Sequence, residues 1–95
     1  MLLYNIVEER EFTEEFDELV RQYPRLDEIK RGLDFLLSHR PFEIGAPIPR
    51  KPDSAYGAYF VCQSDSFDRF SYPSFKFYYR VSDDTVYLIG IVNIF

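Results

Sequence analysis

The stretch that decides the fold is residues 74–95, which read SFKFYYRVSDDTVYLIGIVNIF. Over 74–81 the residues alternate, which predicts a strand with an apolar aromatic face and a second face that carries Lys76, Tyr78 and Arg80. Residues 82–85 (SDDT) predict a turn. Residues 86–95 are apolar at both alternating positions, which is typical of a strand buried on both sides or central in a sheet. The stretch therefore predicts a β-hairpin at the end of the chain.

Before this hairpin, the sequence predicts one strand and two helices. Residues 2–7 form a short apolar run, which predicts the first strand. Thr13 is expected to cap a helix through its hydroxyl, because apolar residues follow it at helical spacing. Pro24 interrupts that spacing and begins a second predicted helix, which Pro41 ends. His39, near the end of the second helix, is expected to bond the last carbonyls.

The order of elements predicts an α+β fold in a single domain over 1–95. Residues 41–57 hold four of the six prolines and predict a long loop. A strand is expected at 58–63, joined through 64–73 to the strand at 74–81. The predicted fold is thus an N-terminal strand, a helical hairpin packed on one face of the sheet, and an antiparallel three-stranded meander. The other face of the sheet is expected to be partly open to water or to a partner.

Composition and charge exclude several classes of protein. The net charge of −5 arises from residues 1–45, which hold eleven acids and six Lys or Arg; an acidic chain disfavours broad nucleic-acid binding. No apolar run approaches the roughly 20 residues of a membrane helix, and the start lacks the pattern of a signal peptide, so we expect a cytoplasmic protein. A single cysteine, Cys62, and a single histidine disfavour a metal site. Cys62 is expected to be a small buried apolar residue, and the sequence predicts no cofactor.

Residues 79–91, YRVSDDTVYLIGI, resemble the last two strands of the RelE/ParE toxin superfamily. That pattern is an aromatic-Arg-Val strand, a turn with aspartate, and a strand of β-branched and apolar residues. The helical pair over 13–39, followed by Arg40-Pro41, fits the same template. The resemblance implies a RelE/ParE-like fold and a toxin of a type II toxin–antitoxin system. An antitoxin protein is then the implied partner.

The resemblance also implies two targets and a set of candidate residues. Ribosome-dependent ribonucleases of the family carry lysines on the first meander strand and an arginine on the next. Here the first strand carries Tyr, Phe, Val and Cys at 59–62, and Lys76 falls near the position of that arginine. If the chain is an enzyme of this kind, Lys76 and Arg80 are its catalytic candidates and ribosome-bound mRNA is its substrate. The branch that poisons gyrase fits the layout equally well.

A small basic group is the candidate for phosphate or target binding. Arg50 and Lys51 adjoin in the proline-rich loop, and Tyr78 lies between Lys76 and Arg80 on one strand face. Lys and Arg can neutralise phosphate, and a tyrosine between two cations can stack on a base. Ordinary surface cations and a filled sheet surface are the structural alternative.

The sequence is also compatible with a second function. The same fold without toxin chemistry would serve as a non-catalytic interaction module. Its apolar strand at 86–95 could then pair edge to edge in a homodimer or bind another partner.

Overall fold

The computed structural model describes residues 3–48, 58–66 and 74–94. Within those ranges the chain forms an α+β fold of helices packed on a mixed sheet. The elements in chain order are β1 (Asn5–Glu8), α1 (Arg10–Gln22), α2 (Leu26–His39), α3 (Pro41–Ile44), β2 (Ala46–Pro47), β3 (Ala58–Gln63), a 3₁₀ turn (Ser64–Ser66), β4 (Ser74–Ser82) and β5 (Thr85–Ile94). The α+β class predicted from the sequence is confirmed.

The sheet has the strand order β1-β5-β4-β3-β2. Strands β3, β4 and β5 form the predicted antiparallel meander, and β1 adds to it in parallel with β5. The two-residue strand β2 pairs with β3 at the far edge, where the sequence predicted only loop. Such a short strand leaves no periodic signal, and its Pro47 is tolerated because it lies on an edge.

Helix α1 begins earlier than the sequence predicted. The residue before its first turn is Glu9, so the expected cap at Thr13 is wrong. The Glu9 amide donates to the Leu88 carbonyl at 2.9 Å, which extends the pairing of β1 with β5 up to the helix itself. Thr13 therefore lies inside the helix, where its hydroxyl donates to the Glu9 carbonyl at 3.3 Å.

The second helix and the start of the predicted loop also differ in their bounds. Helix α2 begins at Leu26 instead of Pro24, which lies in the connection after α1. At its end the His39 Nδ1 lies 2.8 Å from the Phe35 carbonyl, as expected for a histidine that bonds the last turn. Pro41 does more than end α2, because it occupies the first turn of α3. The loop expected over 41–57 is thus wrong for α3 and β2, and its part at 49–57 lies outside the described residues.

One core lies between the helices and the inner face of the sheet. Phe12 of α1 packs on Phe77 of β4, with ring centroids 6.4 Å apart. Phe60 stacks on Tyr79 at 5.3 Å. The buried apolar residues of this core are Phe12, Leu26, Ile29, Leu33, Leu37, Phe60, Cys62, Phe75, Phe77, Tyr79, Val81, Val86, Leu88 and Ile91. The leucine stripe of α2 and the alternation of β4 account for most of them.

A β-bulge explains why β5 is apolar on both faces. Tyr79 pairs with Leu88 and Tyr78 pairs with Gly90, so Ile89 is an extra residue in β5. One extra residue exchanges the two faces of a strand. Ile91 therefore points into the core after the bulge, and Val92 lies on the opposite side at 41% exposure.

Candidate target- and partner-binding face

The side of the sheet opposite the core carries the chemistry-bearing residues. We call it the outer face and define it by Tyr59 of β3, Lys76, Tyr78 and Arg80 of β4, and Tyr87 and Val92 of β5. All of these are half-buried except Val92. The structure thus brings Lys76, Tyr78 and Arg80 onto one face, as the alternation in the sequence predicted. Arg50 and Lys51, the other two candidates, lie outside the described residues.

Glu9 and Tyr87 hold Arg80 in place. Its Nη2 donates to Glu9 Oε1 at 2.9 Å, and its guanidinium carbon lies 4.0 Å from the centroid of the Tyr87 ring. Only 20% of its side chain is exposed, against 41% for Glu9. A cation that is paired and stacked in this way positions its neighbours and has most of its charge already balanced.

Lys76 occupies a different setting on the same strand. Its cross-strand neighbours are the uncharged residues Gln63 and Val92. Among the residues that the structure describes, no carboxylate forms an ion pair with it. The Lys76 ammonium is therefore the more available cation of the outer face. A catalytic role for Lys76 and Arg80 stays a prediction.

A groove of about 350 Å³ lies on the outer face beside the bulge. Two glutamates of α1 line it together with aromatic and aliphatic residues, namely Glu11, Glu15, Ile48, Tyr59, Phe60, Tyr78, Tyr79, Ile89, Gly90, Ile91 and Val92. Gly90 lies at its floor, where a Cβ would stand 3.7 Å from Glu15 Oε1. The groove exists because α1 runs along β5 beyond the end of the short strand β1. The sequence pointed to Tyr78 but not to the groove; the isolated glycine in an apolar strand is the signal that could have indicated the bulge.

The acidic segment at 8–18 is partly neutralised within the chain. Four of its seven acids form ion pairs, namely Glu8 with Lys30, Glu9 with Arg80, Glu14 with Arg10 and Glu18 with Arg21. Glu11 and Glu15 are exposed and form none with the residues described. These two glutamates are the ones that line the groove.

An ion cluster around the buried Lys30 lies away from the outer face. Lys30 donates to Glu8 Oε2 at 2.9 Å and to Asp34 Oδ2 at 2.8 Å, and it lies near the Phe12 and Phe16 rings. Burial alone lowers the pKa of Lys30, but the hydrogen bonds to Asp34 and Glu8 outweigh it and leave that pKa above its usual value. The ammonium therefore stays charged, and the cluster joins β1 to α2.

Two buried groups on the inner side of the sheet, the Cys62 thiol and the Tyr79 hydroxyl, do not ionise at neutral pH. Burial raises the pKa of the Cys62 thiol, so this residue is the small buried apolar residue that the sequence predicted. Burial also raises the pKa of Tyr79, whose hydroxyl donates to the Pro41 carbonyl at 2.6 Å. Both groups stay protonated at neutral pH and serve packing.

Neither a metal cluster nor a membrane span occurs in the part of the chain that the structure describes. Over 3–48, 58–66 and 74–94, no three His, Cys, Asp or Glu side chains are grouped so that they could hold a metal ion. In the same ranges, no helix combines the length and the apolar character that crossing a bilayer requires.

Comparison with solved structures identifies the fold. The chain superposes on a chain of the RelBE2 toxin–antitoxin complex of Mycobacterium tuberculosis with a TM-score of 0.70 and 19% identity, covering 98% of this chain and 100% of that one. It also matches the protein HP0894 of Helicobacter pylori with a TM-score of 0.50 and 17% identity, over 98% and 94% of the two chains. No protein-family model and no curated protein matches the sequence. These likenesses show a RelE-like toxin fold, and they do not favour the non-catalytic interaction module, whether as a homodimer or bound to another partner.

Proposed function

We propose that this chain is the toxin component of a type II toxin–antitoxin pair and that an antitoxin protein neutralises it in the cytoplasm. The observation that carries the proposal is the end-to-end match to a chain of the RelBE2 toxin–antitoxin complex, which leaves almost no residue of either chain unmatched. The resemblance of residues 79–91 to the last two strands of the superfamily supports the same conclusion from the sequence.

The outer face supports the proposal through its chemistry. We assign target contact to Lys76, whose ammonium has no ion-pair partner among the described residues, and to Tyr78 beside it, whose ring can stack on a base. Arg80 is assigned a positioning role, because its pair with Glu9 joins β4 to the start of α1. Arg50 and Lys51 stay candidates for phosphate contact because of their position in the sequence alone.

Induction of the chain alone in a bacterial host tests the proposal. The native chain is expected to arrest growth after tightly controlled induction, and Lys76→Ala is expected to relieve the arrest. The matched control is Arg31→Ala, which removes a cation from the exposed side of α2 and should leave the arrest intact. Soluble yield and circular dichroism of each variant establish that it is folded.

The outcomes separate the class of protein from the assignment of the site. Arrest by the native chain and equally by Lys76→Ala would keep the toxin class and move the target contact elsewhere. A folded native chain that accumulates without arresting growth would contradict the proposal in that host.

The two implied targets are separable by pulse labelling after induction. If the target is ribosome-bound mRNA, incorporation of labelled leucine is expected to stop first. If the target is gyrase, incorporation of labelled thymidine is expected to stop first.

A further inference from the structure

We infer that the groove on the outer face receives an arginine or lysine side chain from an antitoxin segment whose neighbouring side chains are apolar. This inference rests on the proposed function, since it assigns the chemistry of the partner. It is carried by two glutamates that form no ion pair with any described cation, and by the tyrosines and aliphatic residues that line the same concavity.

The charge of the groove selects a cation. Glu11 and Glu15 lie four residues apart on α1, so their side chains are neighbours on one side of the helix. The cations Lys30, Arg80, Arg10 and Arg21 neutralise other acids of the segment, and none of the described cations pairs with these two. A cation placed between two like charges relieves their repulsion and gains attraction from both.

The remaining lining suits the rest of a long cationic side chain. Tyr59 and Tyr78 offer aromatic surface, and a guanidinium or ammonium gains stability over a tyrosine ring. Ile48 and Val92 are apolar and can pack against the methylene stem and the apolar residues beside it. The volume of about 350 Å³ lies at the lower end of the range of about 300–1,000 Å³ for ligand sites. This is room for one side chain and its neighbours.

The same charges argue against a nucleic-acid backbone as the occupant of the groove; a base that stacks on Tyr78 would approach from the side of Lys76, which does not line the groove. A phosphate there would face the carboxylates of Glu11 and Glu15, and phosphate contacts supply most of the affinity for nucleic acid. A protein segment carrying a cation has the complementary charge. A segment bound in the groove covers Tyr78, which we assign to target contact. Occupation of the groove therefore neutralises the toxin.

A pair of matched peptides tests the inference on the purified chain. The probe is an acetylated and amidated peptide with one arginine between valines, and its partner carries citrulline, which keeps the shape of arginine and removes the charge. Titration calorimetry at low salt is expected to show the arginine peptide binding about ten-fold more tightly than the citrulline peptide. In ¹⁵N spectra, the shifts are expected to concentrate at the Tyr59, Tyr78 and Gly90 amides.

Two double variants locate the charge effect. Glu11→Gln/Glu15→Gln removes both carboxylates from the groove, and Glu14→Gln/Glu18→Gln makes the same change in net charge on the same helix outside the groove lining. We expect the first to weaken arginine-peptide binding about ten-fold and the second less than about two-fold. Circular dichroism confirms that both variants fold, which exposed positions should allow.

Three results would overturn the inference. They are equal binding of the two peptides, equal weakening by the two double variants, and no binding of the arginine peptide at millimolar concentration. These measurements use the purified chain without cells. They can therefore fail while growth arrest persists, or succeed where arrest is absent, so that failure of the inference is distinguishable from failure of the proposed function.

Discussion

Replacing Lys30 with methionine should destabilise the fold far more than replacing any exposed cation of the same helix. The Lys30 side chain is 9% exposed and holds the carboxylates of Glu8 and Asp34 at 2.9 and 2.8 Å. Methionine keeps most of the apolar stem, and therefore the packing near Phe12 and Phe16, while it removes the charge. Asp34 Oδ1 is already buried without a hydrogen-bond partner among the described residues. The variant thus leaves both oxygens of the Asp34 carboxylate without a hydrogen-bond partner among the described residues.

The size of the effect follows from burial and geometry. Removing one partner of a fully buried ion pair costs about 3–5 kcal/mol. Here the two carboxylate side chains are 36% and 35% exposed, so water screens part of the loss. We therefore expect a fall of about 2–3 kcal/mol in the free energy of unfolding. In a domain of this size that corresponds to a fall of roughly 8–24 °C in Tm.

Urea unfolding followed by circular dichroism measures this loss. The matched control is Arg31→Met, the next residue of α2, which removes an ion pair of the same spacing with Asp27 at 2.6 Å but with 75% of the arginine side chain exposed. That exposed pair should contribute less than about 0.5 kcal/mol. If Lys30→Met and Arg31→Met unfold at the same urea concentration, the cluster around Lys30 adds nothing beyond a surface pair and the reasoning is refuted.

Three further effects are expected on stability. Tyr79→Phe should lower the free energy of unfolding by about 1–3 kcal/mol, because the buried Pro41 carbonyl loses its donor; a loss below about 0.5 kcal/mol in urea unfolding would contradict this. Stability of the native chain should fall as pH rises past about 10, because burial raises the pKa of Tyr79 in the folded state and the unfolded chain ionises first. The pKa of Lys30 is also raised in the folded state, so Lys30 contributes to the same loss of stability at alkaline pH. Without the Tyr79 hydroxyl, the urea midpoint of Tyr79→Phe should fall less steeply with pH than that of the native chain. Gly45→Ala should cost about 1–3 kcal/mol, because its Cβ would overlap the Tyr79 hydroxyl and lie 2.9 Å from the Val61 carbonyl, whereas Gly90→Ala has room and should be nearly neutral in the same assay.

The elements that sequence analysis predicted correctly are those whose signal is local. The alternation over 74–81 and the spacing of the leucines in the second helix indicate which side of each element faces the core. This signal depends only on the local repeat of a strand or a helix. Both elements occur with bounds within about two residues of those predicted. Helix starts were less accurate, because the cap expected at Thr13 competes with strand pairing at Glu9, which is a contact with a distant part of the chain.

The candidate site was predictable only in part. The alternation placed Lys76, Tyr78 and Arg80 on one face, and the structure confirms that placement. It could not reveal that Arg80 is paired with Glu9, since the two residues are 71 positions apart. The roles of Arg50 and Lys51 still rest on the sequence.

The sequence by itself determined the approximate extents of α2, β3, β4 and β5, and for α2 and β4 also which side faces the core, because these properties follow from spacing along the chain. Only the tertiary structure decided that β1 pairs in parallel with β5, that Ile89 forms a bulge and that α1 continues along the outer edge of β5. Each of these features depends on which backbone amide donates to which distant carbonyl. The periodicity of the sequence does not specify that pairing. The groove that sets Glu11 and Glu15 beside Tyr59 and Tyr78 is a consequence of those pairings.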